Sequence, residues 1–296
     1  MVFTNENQHI KEETMGRFTL SLLIGLVFSA QALAIPEAPF NALTTQVLAV
    51  EDSNFDFNGI VALSNCSASL VHFAGQPKSS QAYVLTNGHC IGGWGGFLKP
   101  GEIEYYEPSR KSMNVHRTIN ERVHVQANML VYATMTGTDS ALYRINETYE
   151  ELEAQGIQSF EMAWEQPMIG QPIHIVSGYW KRGFECSVEA IVHELHEADW
   201  VFTDSIRYSD PGCEVYGGTS GSPVIAQGER VVVAVNNTGN ESGRECTMNN
   251  PCEVDEDGNR TVLEGRGYSQ QTYWFYSCLT EDFEIDLDRD GCLLQK

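Results

Sequence analysis

From Gly59 onward the chain is a succession of short apolar runs cut off by Ser, Asn, Gly and Pro, and this punctuation restricts its fold more than any other feature. Ile60-Val61-Ala62-Leu63, Ala68-Ser69-Leu70-Val71 and Ala82-Tyr83-Val84-Leu85-Thr86 read as β-strands separated by turns. Further strands are expected at Val123-His124-Val125, Met129 to Ala133, Ile173 to Val176, Ala190 to Val192 and Val231 to Val235. A single helix is expected from Glu147 to Gln155. Such spacing implies an all-β barrel or sandwich. No solenoid-period repeat and no low-complexity tract interrupts it. A boundary between two halves is expected between about Glu147 and Gln166, where polarity and charge rise.

The first residues read differently. Met15-Gly16-Arg17, the apolar run from Phe18 to Phe28 and Ala32-Leu33-Ala34 have the order of a cleaved secretory signal. Residues 1–34 are therefore expected to be a signal peptide, 35–58 an N-terminal extension or propeptide, and 59–296 the functional domain. The destination is a secreted or periplasmic space. All eight cysteines lie beyond residue 34, an even number that fits a disulfide framework with 105 formal connectivities. No Cys-x-x-Cys pair suggests a zinc or redox centre. Cys66 and Cys90 flank one hairpin; joining the remaining neighbours gives Cys186 with Cys213, Cys246 with Cys252 and Cys278 with Cys292. The net charge of −22 would repel nucleic acid, and no later segment is apolar enough for a membrane helix.

The chemistry is concentrated in three stretches. Tyr216-Gly217-Gly218-Thr219-Ser220-Gly221-Ser222-Pro223 sets a serine among small residues, where backbone N–H groups can converge on one point and hold a developing oxyanion. By itself it reads equally well as an exposed turn. Thr86-Asn87-Gly88-His89-Cys90 puts a histidine, able to act as a general base near neutral pH, directly after a strand. Gly137-Thr138-Asp139-Ser140 supplies an aspartate that could fix the histidine's tautomer, or serve merely as a turn residue.

In the order His, Asp, Ser, these motifs resemble those of the chymotrypsin-like serine proteases, and the Ser-Gly-Ser-Pro ending looks most like the bacterial glutamyl-endopeptidase branch. The likeness runs from about Gly59 to Gly239. It implies two antiparallel six-stranded β-barrels with the active site in the cleft between them. It also implies His89 as base, Asp139 as its orienting acid, Ser220 as nucleophile, and the N–H groups of Gly218 and Ser220 as oxyanion hole. The activity implied is hydrolysis of protein or peptide substrates through an acyl-enzyme by a secreted monomer, with no metal or organic cofactor. The rival is a protease-like domain that binds without cleaving.

Several positions depart from the family pattern. Asn87 replaces the usual alanine, and Thr219 stands where trypsin-like members carry an aspartate that pairs with a new N-terminus. Glu214, six residues before the nucleophile, occupies the site of the acidic floor that selects Lys or Arg at P1, while Asn236 replaces the histidine of glutamate-specific relatives. Substrate-binding roles are thus expected for Glu214, Asn236, Asn237 and Gly239, with a lean to basic or undetermined P1. His193-Glu194-Leu195-His196-Glu197 approaches a zinc-protease motif but has Glu197 where the second histidine must stand. Asp286, Asp288 and Asp290 match the opening of a calcium loop, against the alternative of a solvated acidic tail pinned by Cys292.

Overall fold

The structure, a computed structural model, describes residues 54–92 and 96–296. The signal segment and most of the extension lie outside the described residues. Strands β1 (Ile60–Ala62), β2 (Ser67–His72), β3 (Gln81–Thr86), β4 (Ile103–Pro108), β5 (Ser112–His116), β6 (Arg122–Thr134) and β7 (Ser140–Thr148) make the first half. Six of them close a ring in the order β1-β5-β6-β7-β3-β2, with β2 returning to β1, while β4 pairs outside the ring with β6. Every pairing in the ring is antiparallel.

A five-residue helix, α1 (Tyr149–Glu153), follows. It is shorter than the sequence pattern suggests. Thr148 and Glu151 form a reciprocal capping box at its start, and the chain turns away at Gly156, whose φ is +78°. Strand β8 (Phe160–Met162) then runs parallel to both β2 and β13 (Val231–Gly239), stitching the two halves together.

The second ring uses β9 (Pro172–Ser177), β10 (Arg182–Glu197), β11 (Trp200–Tyr208), β12 (Pro223–Ala226), β13 and β16 (Gly267–Gln271). Its order is β12-β9-β10-β11-β16, closed by β13 between β16 and β12. A small hairpin of β14 (Cys252–Val254) and β15 (Arg260–Thr261) extends β10. The fold is therefore all-β, with the two six-stranded barrels that the resemblance implies.

The unbroken apolar runs have a physical reason. Along β1, β2 and β3 one face fills the barrel, with Val61, Leu70 and Val84, and the other packs between barrels, with Ile60, Val71 and Leu85. A strand buried on both faces has no polar side to alternate with. The second interior is built from Ile173, Ile175, Val188, Ile206, Val224 and Val233. The expected runs 123–125 and 129–133 are one strand, β6, and 190–192 is the middle of the 16-residue β10. Gln126 and Asn128 interrupt the apolar pattern of β6, and Glu185, Glu189 and Glu194 that of β10.

The four disulfides join Cys66 to Cys90, Cys186 to Cys213, Cys246 to Cys252 and Cys278 to Cys292. The C-terminal segment corrects the reading of a solvated tail. Ile285, Leu287 and Leu294 are buried in the core beside α2 (Trp274–Ser277), while the acids between them point outward. Asp286, Asp288 and Asp290 do not converge into a metal-binding cluster; Asp288 instead pairs with Lys296 at 3.3 Å. The metal-ligating residue types that do come together among the described residues are Cys66, His89 and Cys90, and both sulfurs are consumed by their disulfide.

Candidate active site

His89 sits in a 3-10 turn, Gly88–Cys90, directly after β3. The turn can press against β6 because residue 88 is glycine: a Cβ there would lie 1.9 Å from the Thr134 carbonyl oxygen. The Cys66–Cys90 disulfide anchors its far end and closes a 24-residue separation, which stabilises by about 3 kcal/mol in the chain-entropy account. Beneath it, the fully buried Asn87 donates from Nδ2 to the Asp139 carbonyl at 2.7 Å. The departure at Asn87 thus ties the histidine's turn to the aspartate's backbone.

Asp139, 1% exposed at the start of β7, grips the histidine twice. Its Oδ1 accepts the His89 backbone N–H at 3.0 Å, and its Oδ2 lies 2.6 Å from Nδ1. A carboxylate only accepts, so Nδ1 carries the proton and Nε2 is left with a lone pair toward the cleft. Burial acts to lower the histidine's pKa. It is outweighed by the charge and hydrogen bond of Asp139 together with the charge of Glu197, and the pKa stands above its ordinary value.

The loop that carries Ser220 comes from the second barrel. Gly218 has a φ of +90° and Gly221 of +79°, which other residues rarely adopt. A Cβ at Gly221 would also strike the Ser67 carbonyl at 2.0 Å. Thr219 is buried; its hydroxyl donates to the Tyr216 carbonyl at 2.6 Å and accepts from Asn236 Nδ2 at 3.1 Å. Trp180 Nε1 holds the Gly217 carbonyl at 2.9 Å. Because the peptide is trans and planar, that carbonyl's direction turns the Gly218 N–H the opposite way. Among the described residues, neither the Gly218 nor the Ser220 N–H has an acceptor.

His89, Asp139 and Ser220 border one cleft of about 480 Å³. No hydrogen bond joins Ser220 to His89. The Ser220 hydroxyl donates instead to the Asn237 carbonyl at 3.2 Å.

The expected binding residues separate by burial. Glu214 is exposed at the rim, and Gly239 ends β13 opposite Gly267. Asn237 is buried and lends its carbonyl to Ser220. Asn236 is 1% exposed, donating to the Thr219 carbonyl and hydroxyl at 3.1 Å each and accepting from Tyr208 at 3.0 Å. It also lines the cleft.

The sequence reading missed two groups here. Trp180, from the turn between β9 and β10, gave no signal beyond its exposure-prone aromatic pair with Tyr179. Glu197 had one, its place in the discounted zinc-like motif. It ends β10 facing the cleft, 6% exposed, and its Oε1 accepts the Asn249 N–H at 2.7 Å. Burial raises its pKa and the charge of Asp139 adds to the rise, against hydrogen bonds from Thr238 and Asn249 and the proximity of His89.

A family model for the trypsin-like peptidase domain matches residues 69–235, more than half of the chain. Among solved structures, the MamO protease domain from Magnetospirillum magneticum is similar at 15% identity, over 76% of this chain and 97% of that one, with a TM-score of 0.47. The Nocardiopsis protease is similar at 12% identity, over 73% and 93%, with a TM-score of 0.39. The chymotrypsin of Cellulomonas bogoriensis is similar at 14% identity, over 73% and 92%, with a TM-score of 0.37. Comparison with curated proteins found no match. These distant likenesses assign no residue a role. On the family match, the chain belongs to the trypsin-like peptidase family of chymotrypsin-like serine proteases.

Proposed function

We propose that this chain is a secreted or periplasmic serine endopeptidase that works through His89, Asp139 and Ser220. One observation carries the reading: a histidine fixed in one tautomer by a buried aspartate shares a cleft with a serine flanked by two unengaged backbone N–H groups. For reaction, Ser220 leaves the Asn237 carbonyl, a single side-chain rotation, and its proton passes to His89 Nε2 as Oγ attacks a peptide carbonyl. Catalytic hydrogen bonds are often loose before substrate binds. The oxyanion is received by the N–H groups of Gly218 and Ser220. Collapse expels the amine with the proton from His89, leaving an acyl-enzyme. Water, deprotonated by the same nitrogen, then hydrolyses it. These steps require no metal or organic cofactor.

Four disulfides support an oxidising destination. No helix among the described residues is long and apolar enough to cross a membrane. The substrates are proteins or peptides, the chain acts as a monomer, and its acidity disfavours nucleic acid. Because Glu214 is exposed, water competes for it, and P1 selection is not assigned to it. A fluorophosphonate probe is expected to label Ser220. Ser220→Ala should abolish labelling and lower turnover by roughly 10⁴-fold or more with the fold intact. Absence of labelling in folded protein would favour the binding-domain rival.

A further inference from the structure

Outside the reacting groups, the most unusual side chain in the cleft is Glu197. A carboxylate removed from water is costly unless paired. Glu197 is 6% exposed, and no lysine or arginine lies within salt-bridge distance of it among the described residues. Its known donor is the Asn249 N–H, with Thr238 alongside. A carboxylate has about four acceptor positions, so capacity remains.

The surroundings define what could use that capacity. Asp139, Glu197, Asp210, Glu214 and Glu241 line the cleft, against a single arginine, Arg266. That arginine is occupied by Glu189 and the Tyr208 carbonyl, with Asp210 at 3.8 Å. The wall beside Glu197 is apolar. Phe97 meets His89 edge-on at 6.0 Å and Trp200 at 5.8 Å, and Met248 borders the same space. A carboxylate at the end of an apolar slot suits a long cationic side chain, whose methylene stem covers the aromatic rings while its head reaches the acid.

Position within the cleft names the subsite. The attacked carbonyl belongs to P1 and must lie over Ser220, whose loop lines the cleft from Val215 to Gly217. Glu197, at the end of β10, lines the same cleft as His89 and Asp139. The hairpin of β10 and β11 holds it there. Its tip is bonded to the aspartate's loop through Gly137 N–H to the Val201 carbonyl at 3.0 Å and Thr203 N–H to the Gly137 carbonyl at 2.7 Å. Trp200 Nε1 reaches the Leu98 carbonyl at 2.9 Å. The side chain that meets this wall is the one preceding P1.

We propose that Glu197 is a specificity-determining residue that selects lysine or arginine at P2. The inference rests on the peptidase reading above. It assigns the basic preference to a buried carboxylate beside the histidine rather than to the exposed Glu214.

The test is a matched pair of peptide substrates with one P1 residue and either arginine or its neutral isostere citrulline at P2. The wild type should prefer arginine in kcat/KM on the order of ten- to hundred-fold, the range for hydrogen bonds to charged groups. Glu197→Gln should bring the ratio to near one, and Glu214→Ala should leave it standing. If Glu197→Gln does not fold, as judged by loss of fluorophosphonate labelling, the wild-type and Glu214→Ala ratios carry the test alone. A wild-type ratio near one, an unchanged ratio in Glu197→Gln, or loss of the ratio in Glu214→Ala overturns the proposal. A wild type that neither labels nor cleaves any peptide refutes the peptidase reading instead, so the two failures are distinct.

Discussion

The base side and the nucleophile side of the cleft are each pinned by a buried asparagine, one from each barrel, and they are pinned differently. Asn87 makes one bond, to the Asp139 carbonyl, and leaves its own Oδ1 without a partner. Asn236 bonds Thr219 and Tyr208 with both ends of its amide. The contrast follows from what else holds each loop. The base turn is already fixed by a disulfide and by both oxygens of Asp139. The nucleophile loop lacks the aspartate that trypsin-like members pair with a new N-terminus. Thr219 cannot make that ion pair, and its hydrogen bonds with Tyr216 and Asn236 tie the loop internally.

Four changes press on that contrast, and the most severe is steric. Gly88→Ala puts a carbon against the Thr134 carbonyl, which as backbone cannot step aside. It should cost about 3 kcal/mol and disable the base, read as a lowered Tm together with lost turnover. Asn236→Ala takes the acceptor from the buried Tyr208 hydroxyl and both amide bonds from Thr219, whose carbonyl keeps only the Ser222 N–H at 3.1 Å. It is expected to cost roughly 2–3 kcal/mol and to slow probe labelling of Ser220, checked by denaturation and labelling rate. Asn87→Ala removes one bond but also one orphan oxygen, so about 1 kcal/mol is expected. If Asn87→Ala proves worse than Asn236→Ala, the contrast is inverted.

The smallest effect is on pH dependence. His89 must be neutral to act, and its pKa is raised, so activity is absent well below that pKa and appears as pH climbs through it. The acid limb of kcat/KM should lie above the ordinary histidine value of about 6.5. Glu197→Gln removes one of the raising charges and should move the limb toward lower pH. The groups involved are His89, Asp139 and Glu197, and a limb that does not move would deny the coupling between Glu197 and the base.

Much of the site was legible because its residues act at fixed places in the chain. A serine among glycines, a histidine after a strand and an aspartate before one are local patterns, and each needs only its neighbours to be recognised. The disulfides were legible because all four join cysteines adjacent in sequence order. Glu197 was not legible in this way. Its burial depends on where the tip of a 16-residue strand lands on the opposite barrel, and the charged faces of β10 hid its length. Asn236 lines the cleft, and its hold on Tyr208 and Thr219 could not be read from the chain because those partners lie 28 and 17 residues away. Within the stretch expected to be an extension, the last residues pack on the domain: Phe57 is 2% exposed in the core, and Arg230 bonds both the Asp56 carboxylate at 3.0 Å and the Asn58 carbonyl at 2.6 Å.

The ring closure described for the second barrel also sets an order of events during synthesis. The first ring is complete once residue 148 has emerged, and the histidine and aspartate come with it. The serine follows at residue 220, but β11 and β13 have no partner at their shared edge until Gly267–Gln271 arrives. Domains form from the N-terminus as the chain is made. A nascent chain therefore carries His89, Asp139 and Ser220 well before it has the strand that closes the second ring. The last strand of the second ring acts as a latch that completes its closure.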